Sequence, residues 1–134
     1  MSATTGLYVA IYDDEGVYKH WGLFISGPTD ADLTILQIMG SSTNYRFEMG
    51  TSDPRKSDTL SELIYLYDVP LSKITAIKEA AKTAPIHNEA KGYNCQDYVL
   101  DLLEDLERKG IIDGDDMNYR KQKGIVESKQ EGLV

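Results

Sequence analysis

The fold of this chain is set by the stretch YNCQDYVLDLLEDLERKG at residues 93–110 and by the strands that precede it. Within the stretch, apolar residues recur every three or four positions, which is the spacing of one face of an α-helix. These residues are Cys95, Tyr98, Val99, Leu102, Leu103 and Leu106. Asn94 is suited to cap the helix, and Gly110 is suited to end it. The pattern therefore predicts an amphipathic helix with Cys95 at its first position.

The first half of the chain predicts strands instead. Five segments are rich in β-branched and aromatic residues, and turn-forming or polar loops separate them. They are GLYVAIYD (6–13), VYKHWGLFIS (17–26), LTILQIMG (33–40), NYRFEMG (44–50) and ELIYLYDV (62–69). The last segment is also compatible with a helical turn, but its residue types favour a strand.

A second helix is predicted after Pro70. Apolar residues from Leu71 to Ala81 are again three or four positions apart, and Pro85 stops the helix after about Ala84. With the strands, this gives an α+β fold: an antiparallel β-sheet packed against helices.

The length of 134 residues suits a single domain that buries its own core. We place this domain at residues 1–112. The remaining residues, 113–134, are polar and weakly patterned, so we expect a loosely packed or partly disordered tail there.

The charge of the chain disfavours two classes of partner. The formal net charge is −8, the acids are spread along the chain, and the longest basic cluster is YRKQK near the end. A chain this acidic is a poor ligand for nucleic acids or anionic membranes. No segment approaches the roughly 18 apolar residues of a membrane span. The first residues lack the basic start of a signal peptide.

The cysteine content points to a reducing compartment. One cysteine cannot form an intramolecular disulfide, and with two histidines it cannot build a thiolate-rich zinc site. We expect a cytoplasmic protein with no bound metal. No glycine-rich nucleotide pattern is present either, so we expect no organic cofactor.

Cys95 allows two interpretations. Free cysteine is among the most buried residue types, and Cys95 lies on the apolar face of its helix, so it could be a core residue. At a helix N-terminus, however, the helix dipole stabilises a thiolate and lowers the pKa of the thiol. The glycine-containing loop before it, KGYN, would leave that end of the helix open to a substrate. A nucleophilic role also needs a base.

Two histidines could supply that base. His20 lies within a predicted strand, which would hold the imidazole rigidly, as a general base requires. It could equally be a structural histidine with satisfied hydrogen bonds. His87 lies in the loop before the Cys95 helix, where a histidine is more often solvated.

The two stretches HWGLFI (20–25) and NCQDYVLDLL (94–103) together resemble the circularly permuted papain-like hydrolases. These are relatives of NlpC-type cell-wall peptidases, and they include the lecithin:retinol acyltransferase group and the PPPDE-type peptidases. In that acyltransferase group a His-Trp-Ala/Gly strand carries the base, and an Asn-Cys pair at a helix start carries the nucleophile. The resemblance covers about residues 6 to 110, with the histidine before the cysteine as in the permuted order. It implies a catalytic Cys95–His20 pair.

These families also place a polar residue on the next strand, where it orients the imidazole. Gln37 is the polar residue of the corresponding strand here, although the acyltransferases commonly have a histidine at this step. An amide oxygen can accept a hydrogen bond from the imidazole without supplying charge. The alternative is a glutamine that points to solvent. Tyr93 and Trp21 flank the two motifs and are our candidates for substrate binding, although both could be packing residues.

The expected activity is that of a thiol-dependent hydrolase or acyltransferase. Cys95 would attack an amide, ester or thioester, and its backbone N–H would contribute to the oxyanion hole. A peptide, an amide or a small acyl compound is the expected substrate, since no membrane anchor is visible. The alternatives are a binding module that keeps the fold without catalysis, and a redox-sensing thiol. The sequence does not indicate an oligomeric state.

Overall fold

The sheet of this protein has five strands. The computed structural model describes residues 3–14, 16, 18–27, 29 and 32–131. The strands are β1 (Thr4–Tyr12), β2 (His20–Ser26), β3 (Thr34–Met39), β4 (Arg46–Gly50) and β5 (Leu60–Pro70). Their order is β4-β3-β2-β1-β5, and every neighbouring pair is antiparallel. Each strand corresponds to one predicted segment.

The helices follow the sheet in the chain. They are α1 (Ile74–Thr83), α2 (Cys95–Arg108) and α3 (Met117–Ser128). Short 3-10 turns lie at Pro54–Lys56 and Leu71–Lys73. The predicted α+β class is therefore confirmed, and α2 begins at Cys95 as its periodicity and cap indicated.

Strand β2, in the middle of the sheet, is buried on both of its faces because apolar side chains pack on each side of the sheet. Trp21, Leu23 and Ile25 belong to the main core between the sheet and the helices. Phe24 belongs to a smaller apolar cluster with Ala10 and Ile35 on the other side. By strand alternation, His20 shares this second side with Phe24. The His20 side chain thus leaves β2 on one side of the sheet, whereas the apolar face of α2 packs against the other side.

The part of the chain that forms α3, residues 117–128, is packed against the rest of the protein and is not loose. Helix α3 contacts β5, and its residues Tyr119 and Val126 are fully buried in the main core. The Tyr119 hydroxyl donates to Glu107 Oε2 at 2.6 Å. The loose packing that we expected for residues 117–128 is therefore wrong, because a few well-spaced apolar residues suffice to anchor a short helix. The division of the chain at residue 112 stays a prediction.

None of the three helices in the described residues combines the length and the hydrophobicity that a membrane span needs.

Candidate active site

The start of α2 is held by a reciprocal cap. The Asn94 side chain accepts a hydrogen bond from the Gln96 N–H at 2.8 Å, and the Asn94 N–H donates to Asp97 Oδ2 at 3.0 Å. This capping box satisfies N–H groups that have no partner inside the helix. It fixes Cys95 as the first helical residue.

The Cys95 thiol lies against the backbone at the beginning of β2. Its exposed fraction is 2%. The Trp21 N–H donates to Sγ at 3.4 Å, and the thiol lies 3.9 Å from the Lys19 carbonyl oxygen. The residue between these two contacts is His20. The fold thus brings the only cysteine of the chain next to the histidine that the sequence singled out.

The environment of Cys95 disfavours a resting thiolate. Burial raises the pKa of the thiol to about 11, and the nearby Asp97 carboxylate adds to the rise. Hydrogen bonds from backbone N–H groups, including that of Trp21, oppose the shift but are outweighed. Of the two interpretations of Cys95, the one with a thiol pKa lowered by the helix N-terminus is not supported, because desolvation exceeds the effect of the helix end. Near neutral pH the thiol is protonated.

His20 and Gln37 are joined by a hydrogen bond. The His20 Nε2 atom lies 2.7 Å from Gln37 Oε1, so in the neutral ring Nε2–H donates and Nδ1 carries no proton. Gly22 of β2 leaves room for Ile35 of β3, since a Cβ there would lie 2.9 Å from Ile35 Cδ1. The Tyr12 ring lies 5.7 Å from the imidazole ring. Gln37 therefore points to the imidazole rather than to solvent.

Cys95 and His20 line one cavity. It has a volume of about 210 Å³, and its walls also include Tyr18, Ile38 and Tyr45. Among the described residues, no hydrogen bond joins the thiol to the imidazole directly. We call this space the thiol cavity. It brings the imidazole of His20 and the thiol of Cys95 to the walls of one volume.

A second, larger cavity adjoins the thiol cavity. Its volume is about 500 Å³, and Tyr12, His20 and Gln37 are among its lining residues. Asp14 and Met39 line both cavities, as does His20. We call this second cavity the outer groove, and it meets the thiol cavity at these three shared residues.

Tyr18 and Tyr45 form a polar wall of the thiol cavity. Their hydroxyl groups are hydrogen-bonded to each other. Burial raises the pKa of Tyr45, so its hydroxyl stays neutral at physiological pH. The Asn88 side chain holds Tyr45 by accepting from its N–H at 2.8 Å and donating to its carbonyl at 3.0 Å. The sequence carried no signal for Tyr45, because its contact with the site depends on the packing of a loop before β4.

Trp21 and Tyr93, our candidates for substrate binding, are packing residues in the described structure. Trp21 is fully buried, and its indole N–H is the one buried side-chain polar atom without a partner among the described residues. Tyr93 packs against His87 and Tyr45, with ring separations of 5.4 and 6.4 Å. Neither Trp21 nor Tyr93 lines the thiol cavity or the outer groove.

His87 lies apart from the thiol. Its ring contacts the Glu89 carboxylate at 3.2 Å, and its side chain is 46% exposed. It borders a different groove, next to Asp101. Of the two histidines, the structure therefore brings only His20 to Cys95.

The described residues contain no group of three or more histidine, cysteine, aspartate or glutamate side chains that could hold a metal ion.

Comparison with known proteins gives one match. No curated protein and no solved structure matches the chain. The model of a family of unknown function, DUF6540, matches residues 7–113. This region contains most of β1, the other four strands, α1 and α2, and with them His20, Gln37 and Cys95. Since the match covers most of the chain, the protein belongs to the DUF6540 family.

Proposed function

We propose that this protein is a thiol-dependent hydrolase or acyltransferase with a circularly permuted papain-like fold. Cys95 is the nucleophile, His20 is the general base, and Gln37 orients the imidazole. The observation that carries the proposal is that His20 lines the thiol cavity with Cys95 while its Nε2 is held by Gln37 at 2.7 Å. Such an arrangement leaves Nδ1 as the basic nitrogen of the ring.

The architecture supports the fold assignment at a coarse level. The strand that bears His20 precedes the helix that bears Cys95, and α2 packs against β2 and β3. This is the order that the resemblance to NlpC-related and lecithin:retinol acyltransferase-like proteins implies. The chemistry follows from the site, however, and does not depend on the fold name.

The first half of the reaction forms an acyl-enzyme. A substrate carbonyl enters the thiol cavity, and the Cys95 proton moves to His20 as the sulfur–carbon bond forms. Because the pKa of the thiol is raised to about 11, this proton transfer must accompany the attack. The imidazolium then gives its proton to the leaving amine, alcohol or thiol as the bond to that group breaks.

The second half releases the acyl group. His20 takes a proton from water or from a second nucleophile as that nucleophile attacks the thioester carbonyl. The sulfur–carbon bond then breaks, and the imidazolium returns the proton to the sulfur, which restores the Cys95 thiol and the neutral imidazole. The Cys95 backbone N–H belongs to the first turn of α2, where N–H groups have no partner inside the helix. It is positioned to contribute to the oxyanion hole in both halves.

The dimensions of the site favour a small acyl group. A volume of about 210 Å³ next to the thiol, with Ile38 and Met39 among its walls, suits a short aliphatic or amino-acyl group. The outer groove would hold the leaving group or the acceptor. We therefore propose a peptide, amide or small acyl substrate, acted on in the cytoplasm.

The alternative is a binding module that keeps the fold without catalysis. The burial of Cys95 and the absence of a direct bond to His20 within the described structure favour it. In that case the thiol cavity would bind a ligand without covalent chemistry.

Acylation by an activated ester distinguishes the proposed thiol-dependent enzyme from the binding module. The native protein is mixed with p-nitrophenyl acetate, the release of p-nitrophenol is followed, and the acetylated peptide is located by mass spectrometry. We expect acetylation at Cys95, its absence in Cys95→Ala, and a decrease of roughly 100-fold or more in His20→Ala. His87→Ala is the matched control and should react like the wild type. Lack of acetylation of the native protein, or equal rates in His20→Ala, would contradict catalysis and favour the binding module.

A further inference from the structure

Gln96, the residue after Cys95, is polar but fully buried. Its Nε2 group donates to the Lys19 carbonyl at 2.9 Å and to Glu131 Oε1 at 3.3 Å. Its Oε1 atom accepts from the Glu131 N–H at 2.8 Å. The amide therefore connects three separate parts of the chain: the start of α2, the start of β2 and the segment after α3.

The Glu131 carboxylate completes this connection. Its Oε1 atom also accepts from the Lys19 N–H at 2.8 Å. Both backbone groups of Lys19 are thus occupied, the N–H by Glu131 and the carbonyl by Gln96. We call the three residues Lys19, Gln96 and Glu131 the clasp. Lys19 directly precedes His20, and Gln96 directly follows Cys95.

The clasp lies next to a part of β2 that pairs with β1 but not with β3. The ladder between β2 and β3 pairs Leu23 with Leu36 and continues to Ile25, but does not include His20. On the other side, His20 is the last residue that pairs with β1, opposite Tyr12. The backbone beside His20 is therefore held by β1 on one edge and by the clasp at its preceding residue.

We infer that Glu131 is a positioning residue, which holds the backbone next to His20 at a fixed place relative to Cys95. This inference rests on the proposed function. Glu131 contacts neither the thiol nor the imidazole, so it acts through Lys19 and Gln96. Since a displacement of about 1 Å between reacting groups can lower a rate by roughly 100-fold, a hydrogen-bonded tie at this place affects reactivity.

Glu131 follows the end of α3, and its two preceding residues make contacts of their own. The Lys129 Nζ atom contacts Glu62 Oε1 of β5 at 3.0 Å, and Gln130 Nε2 donates to Asp97 Oδ1 at 3.0 Å. The Gln130 contact joins the segment after α3 to the first turn of α2, whereas the Lys129 contact joins it to β5 and does not involve α2. Glu131 also lies outside residues 7–113, the part that matches the family. The site is therefore completed by a segment beyond the family match.

Three variants of the full chain test this inference. Glu131→Ala removes the acceptor, Glu131→Gln keeps an oxygen acceptor at the same place, and Lys129→Ala removes a neighbouring tie that does not belong to the clasp. Acylation of Cys95 is measured over a range of p-nitrophenyl acetate concentrations, which separates the rate of acylation from binding of the probe. Hydrogen exchange of the Lys19 N–H reports on the clasp without reference to activity.

We expect Glu131→Ala to lower the acylation rate by about 10- to 100-fold at unchanged probe binding, with faster exchange of the Lys19 N–H. Glu131→Gln should stay within about 3-fold of the wild type, because its amide oxygen preserves the acceptor, and Lys129→Ala should react like the wild type. Wild-type acylation rates in Glu131→Ala, or equal losses in Lys129→Ala, would overturn the positioning role while His20 dependence persists. A wild type that is not acylated would instead refute the proposed function, and the positioning role with it.

Discussion

His20 Nε2 and Gln37 Oε1 lie 2.7 Å apart on neighbouring strands of the sheet. A neutral amide oxygen accepts a hydrogen bond from the imidazole N–H here, where many cysteine and serine hydrolases have a carboxylate. The amide fixes the orientation and the tautomer of the ring, but it adds no negative charge that would stabilise the imidazolium. His20 is therefore oriented without the charge that a carboxylate would supply.

Two substitutions of Gln37 should distinguish its effect on the orientation of the imidazole from the effect of a negative charge beside the imidazole. Gln37→Ala removes the acceptor, and we expect acylation of Cys95 to slow by roughly 10-fold or more. Gln37→Glu places a carboxylate beside the imidazole, which raises the imidazole pKa. Since the base must be unprotonated to act, the rising part of the pH–rate profile should move to higher pH in this variant. The measurement is the acylation rate between pH 5 and pH 9.

Gln122→Ala serves as the control for these variants. Gln122 donates to the Tyr65 carbonyl on the surface of the sheet and has no contact with the site. Its pH–rate profile should coincide with that of the wild type. An unchanged profile in both Gln37 variants would show that Gln37 has no part in orienting His20.

Gly40 lines the thiol cavity and has a backbone that favours glycine. Its φ angle is +125°, and a Cβ atom there would lie 2.5 Å from the Asn44 carbonyl oxygen. We expect Gly40→Ala to lower the free energy of unfolding by about 1–3 kcal/mol. Urea denaturation, followed by circular dichroism, measures the change.

Gly124 is the matched control for that substitution. It lies within α3, and a Cβ atom there would have no neighbour within 4 Å. Gly124→Ala should raise the free energy of unfolding by up to about 1 kcal/mol, because alanine favours the helix. If both substitutions changed stability in the same direction, the account of the Gly40 turn would be incorrect.

The packing of α3 can be tested in the same way. Tyr119 is fully buried and bonded to Glu107, and its ring packs 5.8 Å from that of Tyr67. Tyr119→Ala should therefore lower the free energy of unfolding by about 3–5 kcal/mol. Met117 is 84% exposed on the same helix, so Met117→Ala should change stability by less than about 0.5 kcal/mol. Equal, small effects of both would indicate the loose tail that the sequence suggested.

Much of the fold was predictable because its elements carry regular patterns. The face of α2 from Cys95 to Leu106 has uninterrupted helical spacing, and β2 has the residue types of a buried strand. The capping residue Asn94 marked the start of α2. These local signals also placed Cys95 and His20 on rigid elements, which is why two short motifs sufficed to nominate a site.

The remaining features depend on contacts between distant segments. Tyr45 reaches the thiol cavity through the fold of a loop, and Glu131 reaches Gln96 from the far end of α3. The raised pKa of Cys95 results from burial by the main core, which no local pattern reveals. Helix α3 has few apolar residues, although Asp116, whose side chain accepts from the Tyr119 N–H, was a detectable cap.

The central claim is that His20 activates Cys95, and the pH dependence of Cys95 alkylation tests it most directly. Iodoacetamide is applied to the native wild type, to His20→Ala and to His87→Ala. Because burial raises the pKa of the thiol to about 11, reaction of the thiolate alone should become faster by about tenfold per pH unit up to that pH.

Proton transfer to His20 adds a component that forms a plateau independent of pH wherever the thiol is protonated and the imidazole is neutral, since the thiolate–imidazolium pair has the same net charge as the neutral pair. The account predicts this plateau around neutral pH in the wild type and in His87→Ala, and its loss in His20→Ala. Coincident profiles for the wild type and His20→Ala, or a thiol that reacts only after unfolding, would contradict it.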